Sequence, residues 1–554
     1  MDYSFEALSR TVREDGLHPR CLAKYTFRDL LDAVAYRYKD DVAYTIFRGE
    51  NADITYTELR RRAYAIGTAL LGLGFQSGDK VAILGEGCPN WMVMYYGLSS
   101  VGIIAVPILP DFSEKDVCHI LDDAGVKGIC VNSKQRKKVS SYIEEKGLVA
   151  FRMDDLVAEG ETSVDLTSTT VDEALLDAHQ PKEEDIASII YTSGTTGSSK
   201  GVVLSHRNIL FNADTCTTPF VEVNEHDVVL SILPMSHVYE FTIGNVLPLM
   251  CGCRIVCLCK PPAVSFLLPA LAETRPHIIM TVPLLIEKVY KAKVLPLLRK
   301  KPFAFAMKTP LLKSILRRVF LKELMNAFGG RVKFFGIGGA ALDKEVEKFL
   351  HEIHFPYAIG YGLTETAPLI SGCGPFYDKQ LLGHIGILVP GLDVKLLEKN
   401  QDGIGEIAVK GPSVMMGYYN NEELNKEVFT EDGYFRTGDL GSFSLDGRLA
   451  IRGRSKTMIL GSGGENIYPE NIEGLINNEE FVEESLVVAR GGQLVALVKL
   501  DLEAMAKKLS LDKAAVEEEA QKYLGALRNK VNKDLAVFSR IGEVVHQKVL
   551  FERT

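Results

Sequence analysis

Short apolar runs rich in β-branched residues alternate with amphipathic stretches through the first 370 residues of the chain. Such runs occupy residues 81–84, 102–106, 128–131, 186–191 and 228–233. Strands that are apolar throughout are typical of parallel sheets whose two faces are both covered by helices. The pattern therefore predicts an α/β fold with largely parallel sheets built from βαβ units.

The pattern changes near Gly383 to short strands separated by turns. Residues 394–397 and 405–409 read as strands, and the Asp-Gly-Arg sequence at 446–448 reads as a turn. We therefore expect a small, β-barrel-like unit over residues 383–453. This unit is predicted to complete a large N-terminal domain, residues 1–453.

A charged segment follows Arg454. It contains a strand-like run at 494–500 and a long helical pattern at 512–531. Residues 454–554 are therefore predicted to form a separate small α+β domain.

Composition narrows the function classes. The 554 residues are 46% hydrophobic and 24% charged, as is ordinary for a soluble globular protein, and the net charge of −9 disfavours a general nucleic-acid binder. No apolar run reaches the roughly 18 residues of a membrane span, and the start of the chain shows no secretory signal pattern. Ten irregularly spaced cysteines indicate reduced thiols. We expect a cytoplasmic protein.

A glycine- and hydroxyl-rich loop is the strongest chemical signal. Residues 192–200 read Thr-Ser-Gly-Thr-Thr-Gly-Ser-Ser-Lys and follow a strand-like run. Glycines let main-chain N–H groups approach an anion, hydroxyls donate further hydrogen bonds, and Lys200 supplies a positive charge. The spacing differs from that of a Walker A loop, and Gly201 stands where that motif requires Ser or Thr. The loop predicts a polyphosphate site.

This loop and three later motifs, at 360–365, 434–440 and 453–456, together resemble the adenylate-forming superfamily of acyl-CoA synthetases, luciferases and peptide-synthetase adenylation domains. The motifs occur in the family's order, and the resemblance extends over essentially the whole chain. It implies a large N-terminal domain, a small mobile C-terminal domain and an active site between them. It also implies ATP, Mg²⁺ and CoA as ligands.

The resemblance assigns a role to each motif residue. Those expected to bind ATP or AMP are Thr192, Ser193, Gly194, Thr195, Thr196, Gly197, Lys200, Gly338, Gly339, Ala340, Tyr361, Gly362, Thr364, Asp439 and Arg454. Lys200, Thr364 and Glu365 are expected to be catalytic: Thr364 contacts the α-phosphate and Glu365 is the metal ligand for Mg²⁺.

The remaining nucleotide contacts are also implied by the resemblance. Tyr361 is expected to stack on adenine, and Asp439 to accept the ribose hydroxyls beside Arg454. Lys456 falls at the family's hinge between the domains.

Two aromatic residues, His237 and Phe241, match the segment that lines or gates the family's acyl pocket. A buried structural histidine is the alternative for His237. Four nearby cysteines, at 251, 253, 257 and 259, would lie on one face of an extended strand, with the first and last about 26 Å apart. They are predicted to be small core residues because this span is too long for one tetrahedral metal ion.

The segment 288–333 is strongly basic. It holds 13 Lys or Arg residues and one acidic residue, Glu323, a net charge of +12. Apolar residues at 311–312, 315–316, 319–320 and 324 recur at helical spacing against Lys313, Arg317, Arg318 and Lys322. Such a helix either docks on its own protein with a solvated basic face or lies at an anionic membrane surface.

This basic segment and the Ser-His-Val-Tyr-Glu sequence at 236–240 resemble the long-chain branch of the acyl-CoA synthetases. We therefore expect a fatty acid–CoA ligase that favours long chains, with peripheral membrane contact as an option. The alternatives are an acyl carrier protein-loading or aryl or short-chain acid ligase, and an acyl-adenylate-binding protein without turnover.

The chain ends at Phe-Glu-Arg-Thr, residues 551–554, which resembles the start of the family's closing motif. In that motif a catalytic lysine follows a few residues later. The resemblance therefore predicts a truncated C-terminal domain or an impaired member of the family.

Overall fold

The computed structural model describes residues 22, 24–49, 53–160, 162–192, 199–217, 220, 223–260, 262–298, 310–375, 380–460, 466–490 and 493–549. They divide into two compact units. The first contains residues up to Val394 together with Val409–Phe435, and the second contains Lys395–Ala408 and the residues from Arg436 onward. The domain boundary at residue 453 and the β subunit at 383–453 stay predictions.

The first unit contains a nine-stranded sheet that will carry much of the site. Its strands in spatial order are Ile387–Leu388, Leu369–Cys373, Tyr357–Gly362, Phe334–Ile337, Ile278–Thr281, Val228–Ser231, Arg254–Cys257, Val42–Ile46 and Ile54–Thr55. The six strands from Tyr357–Gly362 to Val42–Ile46 are parallel, and the outer strands add antiparallel edges. Burial on both faces explains why the inner strands are almost wholly apolar.

A second nine-stranded sheet also belongs to the first unit. Its strands in spatial order are Gly417–Tyr418, Lys200–Ser205, Ile186–Thr192, Ile104–Ile108, Lys80–Leu84, Gly128–Val131, Val149–Arg152, Val157–Ala158 and Val164–Asp165. The inner five strands are parallel, whereas Lys200–Ser205 returns antiparallel to Ile186–Thr192. The prediction of an α/β fold with largely parallel sheets is confirmed.

Helices cover these sheets. The α-helices of the first unit are Phe27–Tyr38, Tyr56–Gly72, Pro89–Ser99, Glu114–Ala124, Ser140–Lys146, Glu173–Ala178, His206–Cys216, Leu247–Met250, Val264–Thr274, Pro283–Val289, Leu295–Leu298, Pro310–Ala327, Lys344–Ile353 and Glu422–Val428. Two π-helical segments, Tyr239–Val246 and Tyr290–Val294, interrupt this pattern. Short 3₁₀ turns occur at Arg136–Lys138, Leu166–Ser168 and Thr364–Thr366.

The second unit has its own small sheets and core. Strands Asp393–Leu397, Gly405–Lys410, Phe435–Phe443 and Leu449–Arg454 form a four-stranded sheet that lies mainly in this unit, and Ile459–Leu460 pairs with Asn466–Ile467. Val482–Arg490, Gln493–Leu500 and Ile541–His546 form a three-stranded sheet. The helices are Pro469–Asn477, Leu502–Leu509 and Lys513–Val531, with a 3₁₀ turn at Val537–Ser539. Ile476, Leu500 and Met505 are fully buried in this unit's own core.

Two further expectations from the sequence concern membrane-spanning segments and a metal site at the four cysteines. Among the described helices, none combines the length and apolarity that crossing a membrane requires. The four neighbouring cysteines do not share one extended strand, because the strand there covers only Arg254–Cys257. Cys251, Cys253 and Cys257 are nevertheless buried core residues, and no metal-binding cluster of His, Cys, Asp and Glu occurs in the described part of the chain.

Candidate active site

The predicted phosphate loop joins two paired strands of the first unit. Thr192, the last residue of one strand, pairs directly with Lys200, the first residue of the next, so the antiparallel ladder closes the loop at its base. Ser193, Gly194, Thr195, Thr196 and Gly197 lie outside the described residues.

Tyr418 links two of the predicted catalytic residues. The Tyr418 hydroxyl donates a hydrogen bond to Glu365 Oε1 at 2.7 Å, and Lys200 Nζ lies 5.4 Å from the centre of the Tyr418 ring. Burial first, and the Glu365 carboxylate second, raise the pKa of Tyr418 well above its ordinary value, so the phenol remains a donor. Tyr418 was not predicted, although the aromatic pair after Gly417 was a visible signal.

The neighbourhood of Tyr418 is held by a helix N-terminus. The Ser205 side chain accepts from Asn208 N at the start of His206–Cys216, and Asn208 Oδ1 accepts from Ser205 N in return. The Asn208 side-chain amide then donates to the carbonyl oxygens of Pro412 and Val414 at 2.7 and 2.9 Å. A capping box thus anchors the segment that leads to Tyr418.

Glu365 lies in the 3₁₀ turn Thr364–Thr366, and main-chain contacts hold this turn on both sides. Met415 N donates to the Glu365 carbonyl at 2.8 Å, and Leu363 N donates to Thr366 Oγ1 at 3.1 Å. The second carboxylate oxygen of Glu365, Oε2, has no hydrogen bond or ion pair within the described part of the chain. A half-buried carboxylate with one free oxygen fits a hard cation such as Mg²⁺.

The motif glycine Gly362 has a packing reason to lack a side chain. A Cβ at this position would lie only 1.9 Å from the Pro368 carbonyl oxygen. That same oxygen accepts a hydrogen bond from Leu363 N at 3.0 Å. The close approach therefore folds the chain back on itself around the turn that carries Thr364 and Glu365.

Two adjacent parallel strands bring the predicted adenine residues to one sheet edge. Ile337 pairs with Ile359, so Gly338 and Tyr361 both follow at the carboxyl ends of their strands. Ligands of open α/β sheets bind at this edge. Tyr361 is half-buried there, while Gly339 and Ala340 are exposed.

An apolar cavity begins at the same two strands. Ile337 and Gly360, which line it, immediately precede Gly338 and Tyr361. The remaining lining residues, almost all apolar, are Cys216, Phe220, Tyr239, Ile243, Leu247, Met280, Phe334, Gly336, Ala358, Ile359, Leu369, Gly372 and Cys373. Its apolar lining therefore adjoins the predicted nucleotide residues along both strands.

The π-helix Tyr239–Val246 supplies one wall of the cavity through Tyr239 and Ile243. Between them, Glu240 points away into the core and is only 1% exposed. Ser231 Oγ donates to Glu240 Oε1 at 2.5 Å, whereas Glu240 Oε2 has no hydrogen-bond partner among the described residues. Burial raises the pKa of Glu240 to about 8, so this carboxyl is mainly protonated at neutral pH.

His237 and Phe241, the predicted gate residues, differ in exposure. The His237 ring is solvent-accessible, yet desolvation by the surrounding protein lowers its pKa, a combination expected on a concave surface. Phe241 is buried against Tyr95, with ring centres 4.4 Å apart, and against Trp91. The structure gives Phe241 a packing role in an aromatic core cluster, and gating by either residue stays a prediction.

The second unit contains the predicted ribose residues. Asp439 pairs with Arg454 across two antiparallel strands, and Arg454 Nε lies 3.2 Å from Asp439 Oδ1. The Asp439 residue is 4% exposed, whereas Arg454 and Lys456 are exposed. The ion pair orients the buried carboxylate.

Sequence comparison identifies a family and several relatives that this chain resembles. The profile described as AMP-binding enzyme matches residues 31–419. Long chain acyl-CoA synthetase 7, peroxisomal, from Arabidopsis thaliana is 30% identical over 539 residues, which cover 87% of this chain and 72% of that protein. The long-chain-fatty-acid–CoA ligase FadD15 of Mycobacterium tuberculosis is 28% identical over 499 residues, covering 84% of this chain and 81% of the relative.

Structure comparison identifies solved proteins with a similar fold. The crystal structure of ATP-bound MatB from Rhodopseudomonas palustris aligns with a TM-score of 0.74 and 25% identity over 96% of both chains.

The packing at Gly362 predicts the effect of a single methyl group. Gly362→Ala should lower the free energy of unfolding by more than about 2 kcal/mol, because the new Cβ would overlap main-chain atoms that cannot turn away. Gly72→Ala is the matched control, since nothing lies within 4 Å of its added Cβ. Urea unfolding measures both, and equal midpoints would contradict the close approach.

The buried Glu240 predicts a pH-dependent stability. Its pKa rises from 4.5 in the unfolded chain to about 8 in the folded protein, so its stabilising contribution is complete below pH 4.5 and is lost as the pH rises to about 8. Glu240→Gln removes this titration and keeps an acceptor for Ser231.

Between about pH 5 and about pH 8, the free energy of unfolding of the parent should therefore fall relative to that of the glutamine variant by up to about 1.4 kcal/mol per pH unit. Thermal melts of both proteins across this pH range measure the difference. Parallel pH profiles of the two proteins would show that Glu240 is ionised in the folded state.

Proposed function

Because this chain belongs to the AMP-binding enzyme family, we propose that it activates a fatty acid with ATP and transfers the acyl group to CoA. In the first step a fatty acid carboxylate oxygen attacks the α-phosphorus of ATP, and pyrophosphate leaves. In the second step the CoA sulfur attacks the acyl carbonyl carbon, and AMP leaves with its phosphate oxygen. ATP, Mg²⁺ and CoA are therefore the small-molecule requirements.

One observation carries the choice of a fatty acid. The apolar cavity starts at Ile337 and Gly360, one residue before Gly338 and Tyr361 in the sequence. A carboxylate at the sheet edge can therefore meet the nucleotide while its hydrocarbon chain is buried among apolar side chains. The relative from Arabidopsis thaliana is named a long chain acyl-CoA synthetase, and long acids are the proposed class here as well.

The charged and hydroxyl-bearing residues of the first unit have the chemistry needed for attack on the α-phosphate of ATP. Joining an anionic carboxylate to an anionic triphosphate requires positive charge and donors around the α-phosphate. We assign this role to Lys200, Thr364 and the residues Thr192, Ser193, Gly194, Thr195, Thr196 and Gly197. Glu365 would hold Mg²⁺ through its free oxygen, and the metal would neutralise charge on the phosphates.

The other site roles are proposed on the resemblance of the motifs. Tyr361, with Gly338, Gly339, Ala340 and Gly362, would hold adenine. Asp439 and Arg454 would bind the ribose, Lys456 would act as the hinge, and His237 and Phe241 would line or gate the acyl pocket. We also propose a cytoplasmic enzyme that meets its substrate at an anionic membrane surface.

Product analysis tests the proposed reaction. The full chain should release AMP, pyrophosphate and acyl-CoA in equal amounts from palmitate, ATP, Mg²⁺ and CoA. Omitting CoA or replacing it with acyl carrier protein should stop thioester formation. Absence of pyrophosphate release with every acid of a chain-length panel would overturn the proposal.

The proposed metal role of Glu365 predicts a loss of activity without a loss of stability. Glu365→Gln should reduce acid-dependent pyrophosphate release by at least about 100-fold, because a neutral amide binds Mg²⁺ poorly. The variant should unfold near the parent's temperature. Glu423→Gln, an exposed helix residue, is the control. Activity within threefold of the parent at saturating Mg²⁺ would exclude the metal role.

The cavity predicts a shift in chain-length preference. Ala358 lines the cavity from the strand Tyr357–Gly362 and is 4% exposed. Ala358→Leu should fill part of the space and lower kcat/KM for palmitate at least about tenfold more than for hexanoate. Melting curves check for overpacking, which typically costs about 1–3 kcal/mol. An equal effect on both acids would show that the hydrocarbon chain lies elsewhere.

A further inference from the structure

The helix Pro310–Ala327, called the basic helix below, has two apolar faces where the sequence predicted one. Its inner face packs into the first unit through Phe320 and Leu324, and the Phe320 ring meets Phe349 edge-on at 5.6 Å. Its outer face exposes Leu312, Ile315 and Val319, which are 40%, 52% and 49% accessible. These three side chains recur at intervals of three and four residues and so form one stripe.

The basic residues of this helix are arranged differently from the sequence-based expectation. The sequence predicted one apolar face with Lys313 and Arg317 opposite it, and it left open whether the protein or an anionic membrane covers that face. In the structure Lys313 and Arg317 instead lie beside Glu352, at 3.2 and 3.5 Å. The docked face therefore includes part of the basic charge, and part of the apolar surface remains uncovered.

The net charge on the outer face is positive. Arg318 and Lys322 are exposed beside the stripe and have no ion-pair partner among the described residues. Glu323 is exposed on this side as well, but it is the single acidic residue in the whole segment 288–333, whose net charge is +12. Elsewhere in this segment, Lys333 is already neutralised by Asp227 at 2.6 Å. The unpaired positive charge thus coincides with the uncovered apolar stripe.

A neighbouring helix adds to the exposed apolar surface. Val264–Thr274 packs against the basic helix and exposes Phe266 and Leu268, 43% and 49% accessible. Lys260 Nζ lies 4.7 Å from the centre of the Phe266 ring. At this second helix, exposed apolar side chains again lie beside a cation.

We propose that the outer face of the basic helix docks on an anionic lipid bilayer. Helices that lie in the bilayer interface combine an apolar face, which enters the acyl-chain boundary, with Lys and Arg residues that contact lipid phosphates. Leu312, Ile315 and Val319 supply the first feature, and Arg318 and Lys322 supply the second. This inference rests on the proposed function in one respect, because a long-chain fatty acid is itself dissolved in bilayers.

The charge pattern favours lipid over a protein partner. Protein–protein interfaces are depleted of lysine, and their cores exclude charged residues. Here unpaired cations lie directly beside the apolar stripe. An anionic bilayer satisfies both kinds of side chain at once, since phosphates and acyl chains lie within a few ångströms of each other.

Vesicle co-sedimentation of the full chain tests the proposal. Vesicles of phosphatidylcholine with phosphatidylglycerol should bind the protein at low salt at least tenfold more strongly than pure phosphatidylcholine vesicles, and high salt should weaken this binding. A triple variant, Leu312→Gln with Ile315→Gln and Val319→Gln, should reduce the partition coefficient at least tenfold. Arg318→Gln with Lys322→Gln should reduce it and flatten the salt dependence.

A matched control uses an exposed leucine outside the helix. Leu445→Gln, in the second unit, should bind vesicles as the parent does. Hexanoate activation without lipid should be unchanged in all variants. If the proposed function is wrong, the parent itself will not activate hexanoate, whereas if only the docking proposal is wrong, the activity will be normal and only the sedimentation results will differ from those expected. Variants that sediment like the parent would overturn the proposal and indicate a protein partner for this face.

Discussion

The contact between Gly362 and the Pro368 carbonyl is the constraint on which the rest of the site depends. With no side chain at residue 362, the main chain returns within 1.9 Å of where a Cβ would stand. The intervening turn is thereby closed, and Glu365 is held half-buried at its tip. Tyr418 then joins the turn to Lys200 in the neighbouring sheet. The close main-chain packing at Gly362 thus determines where the Glu365 carboxylate lies relative to Tyr418.

The apolar cavity is built under a different constraint. One of its walls is a π-helix, a rare geometry in which the buried Glu240 directly follows the cavity residue Tyr239. Glu240 is tolerated because burial keeps it protonated, so the wall of an apolar cavity contains no charge at neutral pH. The Glu240 carboxyl also needs the space beside Gly244, because a Cβ at that residue would lie only 2.8 Å from it.

The basic helix packs against the core on one face and meets the solvent on the other. Its inner aromatic and aliphatic residues extend the core, and its outer stripe leaves apolar area in contact with water. An apolar stripe flanked by unpaired cations is unfavourable in isolation and favourable at an anionic interface. The same hydrophobic effect therefore acts on the apolar cavity and on the outer surface, and both fit the proposed enzyme, whose substrate dissolves in lipid.

Much of the site was readable from the sequence because its chemistry is local. The phosphate loop, the turn with Thr364 and Glu365, and the strand with Tyr361 are short continuous motifs, and apolar β-branched runs predicted the parallel sheets. Strand bounds such as Lys80–Leu84 and Gln493–Leu500 differ from the predicted ones by only a residue or so.

The missed features depend on contacts between distant parts of the chain. Tyr418 is 53 residues from Glu365, so no local pattern marks it as a partner. Likewise, periodicity alone placed Leu312, Ile315 and Val319 on one apolar face without showing what covers that face, and the strand near the four cysteines covers only Arg254–Cys257. A sequence determines which residues share a helix or strand face, but burial, protonation and partnership arise only when other elements pack against that face.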